Sequence, residues 1–129
     1  PKFARFLKKG QYSATKQRVK RNGLEPMFNQ KAERLETSVF FFCRRSLDEM
    51  WSVGDDNLAW TPSALGSSFT AEVEKHGLTV ARDDDPPGHA VIVGWPEAKV
   101  DWLDVALRLE VCFSLASDLR DVDAIMEVA

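Results

Sequence analysis

Hydrophobic and polar positions alternate with two different periods along this chain, and the switches between them mark its elements. Phe3, Phe6 and Leu7 lie in a segment, Phe3 to Lys8, that fits a first strand or a short helix. Gly10 to Thr15 is small and polar and predicts a loop; Arg18-Val19-Lys20 reads as extended, and Asn22-Gly23 as a turn. The clearest early strand is Glu36 to Cys43, β-branched and aromatic and apolar on both faces from Val39 onward, as in the middle of a sheet. Ser46-Leu47-Asp48-Glu49 is a capping-box pattern that opens a short helix with Leu47, Met50 and Trp51 on one face and Gly54 as its stop. Asp55 to Gly66 reads as a loop, Ser67 to Thr70 as a strand, and Ala71 to His76 as a short helix ended by Gly77. Leu78 to Ala81 and His89 to Val93 are strands on either side of the loop Asp83-Asp84-Asp85-Pro86-Pro87-Gly88, which suggests a hairpin.

The period then changes to 3.6. From Pro96 to Ala116 a long helix is expected, with Pro96 at its first position and Glu97 and Asp101 near the positive end of its dipole. Glu97, Asp101, Asp104 and Arg108 form one narrow polar stripe, and Trp102, Ala106, Leu109 and Phe113 define the opposite face. Its last turns are apolar nearly all round and need cover. The tail residues Leu119, Val122, Ile125 and Met126 have helical spacing and offer one cover, a second copy of the chain another. The fold expected is α+β: an antiparallel or mixed sheet of four or five strands, the long C-terminal helix across one face, and one or two short helices.

Length and charge add organisation. A chain of 129 residues makes one domain, residues 1–129, and its net charge of −3 conceals a partition. Residues 1–45 hold 12 Lys/Arg against 3 Asp/Glu, a balance of +9, and residues 46–129 hold 5 against 17, a balance of −12. The densest basic stretch runs from Lys16 to Arg21, so a phosphate-bearing partner is considered, with nucleic acid a weak one because no recognisable binding module is present. Neutralisation between the two halves is the plainer expectation. No apolar run approaches a membrane span, and the charged start does not resemble a signal peptide. Cys43 and Cys112 make neither a zinc pattern nor a disulfide framework, so a cytoplasmic protein without metal or cofactor is expected.

Chemistry concentrates in few places. His89 follows a rigid Pro-Pro-Gly with three aspartates nearby, and a His–carboxylate pair can do acid–base work. Glu36-Thr37-Ser38 places a carboxylate and two hydroxyls at a strand entrance, where a ligand facing Arg18 or Lys20 can be held. Ser13, Ser38 and Ser114 lie in no local motif that activates a serine. Glu110 projects opposite the polar stripe and requires a basic partner, a wet cleft or an interface. The expected ligand-binding set is therefore Arg18, Lys20, Glu36 and His89, with His89 and Glu36 as candidate catalytic groups. Trp102, Leu109, Glu110 and Phe113 are the expected interface of a homodimer or of a complex with a protein partner.

Three blocks carry a resemblance: Tyr12-Ser13 with Arg18-Val19-Lys20, then Glu36-Thr37-Ser38-Val39-Phe40, then Asp85 to Pro96 with His89-Ala90-Val91-Ile92-Val93-Gly94-Trp95-Pro96. Together they resemble a group of small bacterial proteins, some carried on mobile elements as gene cassettes. The chain departs from that pattern at Arg21, where proline is expected. The resemblance implies a bacterial, stand-alone cytoplasmic domain and no particular activity. On this reading the protein is a non-enzymatic binding or interaction domain, the alternative being a small hydrolase or nuclease-like enzyme using His89 and Glu36 with Arg18 and Lys20 as an anion clamp.

Overall fold

The computed structural model describes residues 1–116. Those residues form an α+β fold with one antiparallel seven-stranded sheet and helices against both of its faces. Strands β1 (Lys2–Leu7), β5 (Arg34–Phe41), β6 (Ala64–Phe69), β7 (Thr79–Arg82), β8 (His89–Val93) and β9 (Ser114–Leu115) lie in the order β7-β8-β5-β1-β6-β9. The seventh, β4 (Met27–Asn29), pairs with the first half of β5 through Met27↔Glu36 and Asn29↔Arg34. A separate ribbon joins β2 (Tyr12–Ser13) to β3 (Arg18–Val19), and the helices are α1 (Leu47–Asn57), α2 (Thr70–Glu74) and α3 (Lys99–Glu110).

Alternation in the central strands builds two cores. Phe3 and Leu7 of β1 and Val39 and Phe41 of β5 point to one face, where they meet Val73 of α2, Val105, Ala106 and Leu109 of α3, and Val19 of β3. Ala4, Phe6 and Phe40 point to the other face, where Met50 and Trp51 of α1 cover them together with Leu65. The choice between strand and helix at the N-terminus is thereby settled. As β1, the segment sends successive apolar side chains to both cores; each buried Phe or Leu contributes about 1.5–3 kcal/mol.

The sheet has more strands than the four or five expected: β4 lies in a segment given no reading from the sequence, β9 in the run read as helix, and β6 starts earlier than the strand expected at Ser67. Residues 64–66, read as part of a loop, are the start of β6, which pairs with all of β1 from Lys2↔Phe69 to Leu7↔Ala64. Gly66 is small there because the ribbon packs on it: a Cβ would stand 2.6 Å from Val19 Cγ2. The Ser46 capping box is present, with the Glu49 amide donating to the Ser46 hydroxyl and the Ser46 amide to the Glu49 carboxylate. Gly54 does not stop α1, which continues to Asn57; it is buried against the Phe6 ring, 2.8 Å from a Cβ built on it.

The long helix expected over Pro96–Ala116 is instead a 12-residue α3 followed by a turn and β9. After Glu110 the side chains switch to a period of two: Phe113 is buried, Ser114 exposed, and Leu115 packs on the core while pairing with Gly66. Pairing with the sheet edge thus covers Phe113 and Leu115, whereas Val111 stays exposed. At the other end, Pro96 precedes the helix and its carbonyl accepts the Trp102 indole N–H at 2.7 Å. Leu119, Val122, Ile125 and Met126 lie outside the described residues. No described helix is long and apolar enough to cross a membrane.

Candidate functional site

The face that carries α1 is only partly covered by it. Register places Glu36, Ser38 and Phe40 of β5 on that face beside His89 and Val91 of β8, through Ser38↔Val91 and Phe40↔His89. Phe40 lies under α1, whereas the rest opens into a cleft of about 340 Å³ lined by Arg5, Asn29, Glu36, Ser38, Asp83 and His89, with Met27, Phe28 and Val91 as apolar rim.

A chain of hydrogen bonds crosses this cleft. Ser38 and His89 are diagonal neighbours across the β5–β8 pair, a spacing that an imidazole bridges. The Ser38 hydroxyl is 2.5 Å from His89 Nε2, and His89 Nδ1 is 2.7 Å from Asp83 Oδ1. The Asp83 carboxylate can only accept, so Nδ1 carries a proton; in the neutral form of the ring Nε2 is then bare and accepts from the Ser38 hydroxyl. Asp83 reaches the ring because the ladder bulges where β7 ends: the Asp83 and Asp84 amides both donate to the His89 carbonyl, at 3.1 and 3.0 Å. Burial pulls the Asp83 carboxyl upward, but the hydrogen bonds from His89 and the Asp85 amide and the pull of the imidazole charge outweigh it, holding the group below the usual carboxylate range. The Phe40 ring meets the imidazole edge-on at 5.1 Å between centroids, so the ring is held on three sides.

Arg5 is the second element of the site. The β1–β5 ladder is limited to Phe3↔Phe41 and Ala4↔Phe40, and beyond it the Arg5 side chain takes the place of backbone pairing. Its Nε and Nη1 donate to the carbonyls of Gly23 and Ser38, each at 2.8 Å. Among the described residues no carboxylate pairs with it, and burial lowers the guanidinium to about 10, so at neutral pH it remains a cation held by neutral partners. Such a charge at a cleft wall favours an anionic ligand.

Of the four residues expected to bind a ligand, the cleft brings together two. Glu36 and His89 both line it, but Glu36 is engaged by Arg34 at 3.1 Å and by the Asn29 amide at 2.5 Å, and it does not contact the imidazole. Arg18 and Lys20 do not line the cleft, because β3 packs against the opposite face; Arg18 pairs with Glu110 at 3.8 Å, and Lys20 is exposed. Glu110 also accepts the Arg21 amide at 2.7 Å, so the basic partner it required comes from the N-terminal half. Of the expected interface residues, Leu109 and Phe113 are buried in the chain's own core and Trp102 is half-buried. The exposed apolar residues of α3 are Val100, Leu103 and Leu107, with Val111 just beyond.

Two groups of the site, Ser38 and Arg5, were not among the expected ligand-binding or catalytic residues, although Ser38 was read as one of two hydroxyls at a strand entrance. Ser38 has no activating motif beside it because its partner arrives across the sheet, 51 positions later. Arg5 had a signal: a lone charge inside the apolar run Phe3-Ala4-Arg5-Phe6-Leu7 must find partners in the interior. Compared with family models, with curated proteins and with solved structures, the chain matches none. The site therefore rests on its own geometry.

Proposed function

We propose that the protein is a ligand-binding domain whose open cleft takes a small molecule by a carboxylate or phosphoryl oxygen. The observation that carries this reading is the Arg5 guanidinium, held at the cleft wall by the Gly23 and Ser38 carbonyls and paired with no carboxylate among the described residues. A bound anionic oxygen supplies the missing counter-charge, while the other acids at the cleft already have partners: Glu36 has Arg34 and Asp83 has His89. The apolar rim of Met27, Phe28 and Val91 suits a short carbon chain beside that oxygen.

The test is a titration with acetate and with inorganic phosphate, followed on the Arg5 Nε–Hε and the Ser38 and His89 amide resonances. Saturable shifts at those positions, absent in Arg5→Gln, are expected. Shifts confined to the basic stretch Lys16–Arg21, unchanged by Arg5→Gln, contradict the reading.

Self-association is a second reading, favoured by the exposed stripe of Val100, Leu103 and Leu107 on α3 rather than by the residues first expected. Sedimentation equilibrium of the wild-type chain and of Leu103→Glu checks it: dimerisation that the variant abolishes supports it, and a monomer at all concentrations removes it.

A further inference from the structure

We propose that the cleft is also a hydrolytic centre in which Ser38 attacks a small carboxylic ester, a step that rests on the same Arg5-lined cleft as the binding reading. Three observations meet there. The Ser38 hydroxyl lies 2.5 Å from His89 Nε2, the ring nitrogen that is bare in the neutral imidazole when Asp83 holds the proton on Nδ1. The far side of that imidazole is oriented by Asp83 through a bulge that points the carboxylate at Nδ1. An unpaired guanidinium touches the carbonyl of the same serine, next to where negative charge develops on a substrate oxygen. Nucleophile, base, orienting carboxylate and oxyanion partner thus come from four different strands or strand ends, an arrangement recognised by roles and distances.

The step balances without any further reagent. Ser38 Oγ bonds to the ester carbonyl carbon as its proton passes to His89 Nε2, and the carbonyl oxygen becomes an oxyanion facing Arg5. Collapse breaks the ester C–O bond, and the alkoxide leaves with the proton from His89. Water then attacks the acyl-serine, giving its proton to His89, which returns it to Ser38 Oγ. The products are an alcohol and a carboxylate, and the carboxylate is the anion that Arg5 is built to hold. The cleft of about 340 Å³ and its Met27 and Phe28 rim limit the acyl group to a short, apolar one. Asp83 acts through His89 and is a positioning residue.

The experiment uses the intact chain and a fluorophosphonate probe, with p-nitrophenyl acetate as substrate, and maps the adduct by peptide mass. A phosphonyl adduct on Ser38 is expected, absent in Ser38→Ala, with ester turnover lost in parallel. Asp83→Asn, folded as judged by its melt, is expected to slow labelling by about 100-fold or more and to change its pH profile. Mapping on the wild-type chain keeps the test valid should a variant fail to fold. An adduct elsewhere, or one that persists in Ser38→Ala, overturns the proposal. No adduct on the folded wild type, with acetate still shifting Arg5, overturns the nucleophile and leaves the binding reading intact; loss of both responses overturns both.

Discussion

One face of the sheet is built in two ways. Over β1, β6 and the end of β5, α1 lays Met50 and Trp51 on Ala4, Phe6, Phe40 and Leu65, and every one of these six is buried. Over the first half of β5, with β4 and β8, the same face carries Glu36, Ser38 and His89, and no residue of α1 lines the cleft there. An 11-residue helix is only about 16 Å long at 1.5 Å per residue, less than the width of a sheet of this size. What the helix cannot reach carries polar groups joined in two sets, Ser38–His89–Asp83 and Asn29–Glu36–Arg34, beside the apolar rim of Met27, Phe28 and Val91. The difference teaches that the covered part carries the apolar packing and the open part the candidate site, in residues that share strands and register.

That division can be broken by mutation. The largest effect is expected from Phe6→Ala or Trp51→Ala, about 3–5 kcal/mol by urea unfolding, against less than about 1 kcal/mol for Ser38→Ala. Equal losses on the two sides would erase the distinction. Arg5→Gln is expected to cost about 1–3 kcal/mol, because the Gly23 and Ser38 carbonyls lose a charged donor; unchanged stability would show that water replaces it freely. Gly54→Ala sharpens the covered side: the new methyl meets the Phe6 ring at 2.8 Å, and a net loss of about 1 kcal/mol is expected despite the better helix propensity. Ser46→Ala removes the capping box and is expected to cost about 1 kcal/mol, read from the same unfolding curves.

The smallest effect belongs to acid. Asp83 has a carboxyl held low in the folded state, so its contribution is present above the unfolded value of about 3.9 and disappears as pH falls through the folded one. Asp83 is half exposed, which keeps that contribution below about 1 kcal/mol. Wild type and Asp83→Asn are therefore expected to differ slightly in stability near neutral pH and to converge in stronger acid. A gap that widens on acidification would contradict the assignment.

Much of the fold was legible because burial imposes a period. The strands at Val39, Val80 and Ile92 and the capping box at Ser46 follow directly from spacing. The sequence misled where small or apolar residues serve packing rather than local conformation. Gly54 and Gly66 are glycines of close approach, and the run after Glu110 is apolar as a sheet edge rather than as a helix. At the site, His89 and Glu36 stood out as polar residues in strand surroundings. A carboxylate near His89 and hydroxyls beside Glu36 were also read from the sequence, but not that Ser38 meets His89 or that Arg5 joins them, because diagonal pairing of β5 with β8, the bulge at Asp83 and the gap between β1 and β5 are properties of register. Arg18 and Lys20 read as clamps since nothing in a linear sequence shows that β3 packs on the opposite face from His89.

The proton on His89 decides whether the open part of the face is arranged for chemistry. A long-range ¹H–¹⁵N spectrum at about pH 8, above the ordinary histidine range near 6.5, reports which ring nitrogen carries it. Protonated Nδ1 and bare Nε2 are the predicted result, with the pattern loosened in Asp83→Asn. A ring protonated at Nε2 would mean that His89 donates toward Ser38, and the chain from Ser38 through His89 to Asp83 would not exist as described.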